Sequence, residues 1–155
     1  MRRAGAAVVL AGVLALAGCG AGIPADPDGT LSRAAGGELR VGYAVEPGLV
    51  DAPGEGDPSG PVVDVVREYA ASIDADIAWT AASEESLVTD LEEGAIDVAI
   101  GGFTDQTPWS DRASVTRGFF PGAERSGPKS AILVPLGENA LLTSIETHLD
   151  GEGLT

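Results

Sequence analysis

The sequence predicts a single three-layer α/β domain with a mostly parallel sheet. Three observations carry that prediction. Short β-branched runs alternate with amphipathic stretches of about ten residues. A glycine, Gly94, stops one of those stretches directly before an apolar strand. A last apolar strand and helix then follow a polar break. Alternation of this kind builds right-handed βαβ units, whose helices cover both faces of the sheet.

The chain has 155 residues, and its beginning lies outside that domain. Arg2 and Arg3 precede the apolar run Ala4 to Ala17, which ends at Leu16-Ala17-Gly18-Cys19. A run this short, after a basic start, is a secretion signal over residues 1–18 and not a membrane span. The ending resembles a bacterial lipobox, which implies cleavage before Cys19 and lipidation of that cysteine, the only one in the chain. An unpaired exposed thiol is otherwise a liability on a secreted protein. A diacylated anchor carries two chains, enough for stable attachment to the outer face of the cell membrane. From Gly20 to Gly37 the chain is rich in Gly, Pro, Ala and Asp without an apolar period. Residues 19–37 therefore read as the lipidated cysteine and a flexible tether, and residues 38–155 as the domain.

Within it, Leu39, Val41 and Tyr43 alternate in a first strand over residues 38–44. The loop 45–59 is dense in Pro, Gly and acids, and a loop so long in a small domain is either functional or mobile. Ser59 is placed to cap a helix in which Val62, Val65, Val66, Tyr69, Ala70 and Ile73 fall at helical spacing. Residues 76–80 form a second strand with Ile77 and Trp79, the latter read as core. Ser83 caps a helix that carries Glu84 and Glu85 in its first turn, where they match the helix dipole, and Leu87, Val88 and Leu91 inside. Ile96 to Ile100 is the third strand, and residues 114–117 an edge strand. Residues 121–129 are a polar break, too short for a further lobe. Residues 131–134 form a strand that returns beside the third, residues 139–149 a helix, and the last residues a fraying end.

The stretch from Gly94 to Phe120 carries the candidate site. Gly101 and Gly102 follow the third strand, and a polar turn is predicted to open a short helix near Pro108. Backbone N–H groups next to glycines, with a helix start behind them, suit a small polar ligand. Thr104 adds a hydroxyl. Tyr43 and Trp109 are candidate stacking walls, or are exposed for want of a covering lobe. Glu46, in the loop after the first strand, is either a solvated acid or a group that favours a cation. Trp109 and Arg112 lie one turn apart and share a face on a helix.

Composition and spacing argue against other classes of function. Loss of residues 1–18 removes two arginines and no acid, leaving 24 acidic and 7 basic side chains, a formal charge of −17. Nucleic acid and anionic lipid surfaces are poor partners for such a chain. The single histidine, His148, falls near the end of the last helix, and Cys19 is consumed by lipid, so neither a Ser-His-Asp nor a Cys-His set assembles. No zinc or calcium-loop spacing occurs. The expectation is a protein without enzymatic activity, cofactor or metal.

Several segments resemble the extracytoplasmic solute-binding proteins of family 3, the amino-acid-type receptors of ABC importers. ELRVGYAVEPG is similar to their opening strand and ligand loop, DPSGPVVDVVREYA to their first helix, and EEGAIDVAIGGFTDQTP to the segment that lines their cleft. AILVPLGENALLTSIETHLDGEGL is similar to their returning strand and terminal helix. The resemblance covers residues 38–154 and implies lobe one of a type 2 periplasmic binding protein, without the second lobe that members insert where residues 121–129 stand. It implies a ligand site of Tyr43, Glu46, Gly101, Gly102, Thr104, Trp109 and Arg112. Members that bind amino acids hold the ligand carboxylate with an arginine; an ungapped count puts Trp109 at its place, and Arg112 is the nearest substitute.

Two functions follow. The first is a lipid-anchored solute-binding subunit of a transport system, taking a small polar solute such as an amino acid or a cation. Its binding is expected to be weak, because one lobe cannot give the usual enclosure of about 70–90% unless a partner chain supplies the other wall. The second is an interaction or regulatory module that docks a membrane transporter or a partner chain through an apolar patch of Tyr43, Trp109 and Phe119. A dehydratase-like enzyme on the same fold, of the cyclohexadienyl type, is a remote third.

Overall fold

The computed structural model describes residues 25–52, 54, 56–123 and 125–155. The predicted signal, Cys19 and the first residues of the predicted tether lie outside the described residues. Among the described residues nine elements follow in order: α1 Thr30–Ala34, β1 Glu38–Tyr43, α2 Pro61–Ser72, β2 Asp76–Ala81, α3 Glu84–Glu92, β3 Val98–Ile100, β4 Ala113–Val115, β5 Leu133–Pro135 and α4 Asn139–Gly151. They form one five-stranded sheet in the order β2-β1-β3-β5-β4. Strands β2, β1 and β3 are parallel. β5 lies antiparallel between β3 and β4, beside the third strand as expected, so the sheet is mixed.

Alternation along the strands sorts two cores. Leu39, Val41 and Tyr43 of β1, Val98 and Ile100 of β3, and Ile132 and Val134 point to the layer of α1, α2 and α4, where Val62, Val66, Tyr69, Leu141, Ile145 and Leu149 are buried. Ala44, Ala99 and Leu133 point the other way, onto Leu87 and Leu91 of α3 together with Ile96 and Phe103. The α3 layer lies close because Gly42 has no side chain: a Cβ there would sit 2.5 Å from Leu87 Cδ2 and 2.6 Å from Ile96 Cδ1. Trp79 packs half-buried against the larger core, edge-on to Tyr43 at 6.1 Å between ring centres.

Four expectations change. First, residues 25–37 are not loose. Ala34 is buried in the core, the Ala25 carbonyl accepts from Ala140 N–H at 2.8 Å, and the buried Glu138 carboxylate accepts from the N–H groups of Asp28 and Thr30. A Gly- and Pro-rich composition lowered the apparent order of a segment that is held by long-range partners. Second, Ser59 does not cap α2. Its backbone pairs with Asp51, and Gly60 takes the N-cap at φ 120°, where a Cβ would meet the Leu49 carbonyl at 2.5 Å. Third, no helix starts at Pro108; Ala113 N–H reaches back to the Trp109 carbonyl, but that single turn ends at once because Ala113 enters β4. Fourth, the C-terminus is docked: the Leu154 carbonyl accepts from Phe120 N–H and its side chain packs on the core.

Ser83 does cap α3, its Oγ accepting from Ser86 N–H at 3.3 Å. Among the described residues, no helix is long and apolar enough to cross a membrane.

Candidate functional site

Because β1, β2 and β3 run parallel, their carboxyl ends and the first turn of α3 meet at one pole, where α/β sheets carry ligands. Tyr43 and Ile100 are opposite each other in the register, so the chain leaves β1 as Ala44-Val45-Glu46 beside Gly101-Gly102. A Cβ on Gly101 would lie 3.1 Å from that of Ala44, and one on Gly102 would lie 3.0 Å from Glu46 Oε2 and 3.2 Å from Glu84 Oε1. Two carboxylates therefore converge on Gly102, where the backbone has no side chain of its own. They are no farther apart than the sum of those two distances. Glu46 is exposed and Glu84 half-buried, so a cation can reach both carboxyl groups from solvent.

The tight turn after β1 positions Glu46: its carbonyl accepts from both Leu49 and Val50 N–H, and its own N–H donates to the Val50 carbonyl. Glu84 is set by the Ser83 cap. Thr104 closes the rim, paired with Ser130 across an isolated bridge, its Oγ1 accepting from Gln106 N–H. Sequence reasoning missed Glu84 as a site residue, treating it only as a charge that suits the helix dipole. The available signal was its place: it follows β2 by a few residues, and in a parallel sheet that puts it at the same pole as Glu46.

Of the seven expected site residues, Glu46, Gly101, Gly102 and Thr104 share this pole. Tyr43 points into the core and is only 8% exposed, so it is not a stacking wall; alternation on β1 requires this once Ala44 faces α3. Trp109 packs half-buried against the α3-side core. Arg112 does share a face with it, its guanidinium carbon 5.7 Å from the indole centre. That guanidinium, however, is turned onto α3, where Nε donates to Glu92 Oε1 at 2.9 Å and Nη2 to Glu92 Oε2 and Thr89 Oγ1. The hydrogen bond from Arg112 holds the Glu92 carboxyl below its usual range. Arg112 precedes β4, whose first residue pairs with the last of β5, and so lies toward the opposite pole.

A groove among the described residues also lies at that opposite pole. It has a volume of about 540 Å³ and is lined by Arg33, Arg40, Arg112, Asp97, Glu92 and Leu136 among others. Its guanidinium groups already have partners. Asp97, 1% exposed, accepts from Arg33 Nη2 at 2.6 Å and from Arg40 Nη2 at 2.6 Å, and the Arg40 backbone N–H adds a bond at 2.9 Å. Burial raises the Asp97 carboxyl, but the bonds from Arg40 and Arg33 more than offset it and hold it below the ordinary carboxylate range. That groove is the floor of the fold, lined by ion pairs. Among the described residues no group of three or more His, Cys, Asp or Glu side chains is arranged to hold a metal ion.

No protein-family profile matches the sequence, and no curated protein matches it. Solved structures do. Domain 1 of TmArgBP, as the arginine-bound Phe57Trp mutant, superposes with a TM-score of 0.68 at 24% identity over 81% of this chain and 97% of that one. A truncated arginine-bound ArgBP of T. maritima gives 0.66 at 14% identity, over 81% and 99%. A Salmonella typhimurium periplasmic binding protein described for high arginine specificity gives 0.62 at 13%, over 74% and 92%. An ancestral cyclohexadienyl dehydratase gives 0.68 at 13%, over 85% and 92%. At these identities the likeness establishes the fold alone: this chain has the fold of lobe one of a type 2 periplasmic binding protein.

Proposed function

We propose that the protein is a solute-binding protein, lipid-anchored through Cys19 on the extracytoplasmic face of the cell membrane, that takes a small cationic solute of the amino-acid type for a transport system. The observation that carries this reading is the pair of carboxylates, Glu46 and Glu84, that converge on Gly102 at the carboxyl ends of β1 and β3. A guanidinium or ammonium group between them would exchange water for two charge-assisted hydrogen bonds. The comparison supports the choice of a cation, since a single-domain and a truncated relative in fold are both described as arginine-bound. The lobe-only TmArgBP domain also bears on affinity: half an enclosure is compatible with a bound amino acid. Affinity is still expected to be modest, because immobilising the ligand costs several kcal/mol and only one wall is present.

Arg112 is engaged on Glu92 and does not serve the solute carboxylate in this reading. Backbone N–H groups at Gly101 to Thr104 take that part. The alternative of an interaction module called for an apolar patch of Tyr43, Trp109 and Phe119. Tyr43 and Phe119 are buried, which removes that patch and favours solute. The dehydratase likeness is one of fold, and the reading proposed is a binding protein.

Calorimetry on residues 20–155 with arginine, lysine, glutamine and a dicarboxylate tests the site. Binding of the cationic amino acids, weakened about tenfold or more by Glu46→Gln and by Glu84→Gln, is the expected result. Cation binding unchanged in the double variant would place the site elsewhere. Binding of the dicarboxylate alone would overturn the cationic reading.

A further inference from the structure

The segment that leads out of the domain toward Cys19 is docked on the pole opposite the candidate site. Asp26 accepts from Leu31 N–H at 3.0 Å and from Ser32 Oγ at 2.6 Å, which folds residues 26–32 into a compact strap. The strap is tied down by Glu138, by Ala140 and by the Arg33–Asp97 pair. Further on, Gly36 N–H donates to the Ile73 carbonyl and Asp76 N–H to the Gly37 carbonyl. All these partners stand at the amino ends of the parallel strands. Asp97 immediately precedes β3, Asp76 opens β2, and Glu138 follows β5, whose end lies beside the start of β4.

We infer that this strap sets the pose of the domain on its membrane: the face with Glu46, Gly102 and Glu84 looks away from the bilayer, and the pole with Gly94, Leu136 and the strap lies against it. The inference rests on the lipid-anchor reading and adds orientation to it. Six Cα steps separate Cys19 from Ala25, a reach of at most about 22 Å. A domain of this length is roughly 35 Å across. The chain can tilt the domain but cannot turn it over, since inversion would lift the strap's exit higher than its link can stretch. A partner embedded in the same membrane therefore meets the site face only by projecting above it or by undocking the strap, which would add about 40 Å of reach.

The test uses the full chain, processed in a bacterium and reconstituted in lipid vesicles. Val45 and Leu136 are 56% and 54% exposed and mark the two poles. A donor dye is attached to Val45→Cys or Leu136→Cys, with acceptor dye on the lipid headgroups. Energy transfer from position 136 is expected to exceed that from position 45 several-fold. Inserting about twenty Gly and Ser residues between Cys19 and Ala25, which leaves the fold untouched, should erase the difference. Equal transfer from both positions without the insertion, or stronger transfer from position 45, overturns the orientation. Mass spectrometry separates the two readings: a diacylglyceryl Cys19 with equal transfer sinks the orientation alone, whereas an unmodified protein free of the membrane sinks the anchor and the orientation with it.

Discussion

Asp97 is the buried carboxylate on which Arg33 and Arg40 converge, and its replacement is the most informative single change in the fold. Asp97→Ala strands two guanidinium groups that are partly open to solvent, at 45% and 31% exposure, and can rehydrate in part. The expected cost is therefore at the lower end for a broken buried pair, about 2–3 kcal/mol, read from urea midpoints. The sign of its pH dependence follows from its lowered folded value. Asp97 contributes fully above the unfolded carboxylate value of about 4 and loses that contribution as pH falls toward its folded value. Asp26, whose carboxyl is held at about 2, acts in the same direction. Stability should thus decline below about pH 4 in the parent, with a shallower decline in Asp97→Asn; an unchanged acid slope would remove Asp97 from the account.

At the scale of elements, α3 joins stability to the site. Ser83 caps its first turn and Glu84 stands in that turn. Ser83→Ala should lower stability by about 1 kcal/mol and weaken cation binding as well, because fraying of the first turn moves Glu84; chemical denaturation and calorimetry on the same sample check both. A loss of stability with full retention of binding would show that Glu84 is not held by the cap. Gly42 is the counterpart beneath the helix. Gly42→Val would drive a branched side chain into Leu87 and Ile96, and the expected loss is about 3 kcal/mol or more, since overpacking here shifts a whole layer.

For the whole molecule, the connector between Phe120 and Ser130 leaves and re-enters the fold at adjacent points. Phe119 and Ser130 exchange both backbone hydrogen bonds at 2.9 Å and close the gap before the polar residues begin. A doubling of the connector with Gly and Ser residues between Gly122 and Gly127 should therefore cost only about 0.6 kcal/mol and leave a single cooperative transition. Truncation after Gly151 should cost more, because it removes Leu154 from the core and its carbonyl from Phe120 N–H. Thermal unfolding of the two variants against the parent decides the order.

The sequence by itself determined the alternation of strands and helices, the caps at Ser83 and Gly94, the return of the strand near Leu133 to the side of β3, and the pole at which Gly101 and Gly102 lie. These follow from periodicity and glycine, which act over a few residues, and, for the strand near Leu133, from a connector too short to carry an apolar strand away from the sheet. Tertiary structure decided what depends on partners far along the chain. The strap is ordered because Asp97 and Glu138 wait for it, at separations of 64 and more than 100 residues. Arg112 is drawn to Glu92, 20 residues earlier, and so turns from the site that local spacing had suggested for it. Tyr43 is buried because β1 must present Ala44 to α3. Glu84 reaches Gly102 only once β2 and β3 stand on either side of β1, an arrangement set by the packing of three strands that no local pattern encodes.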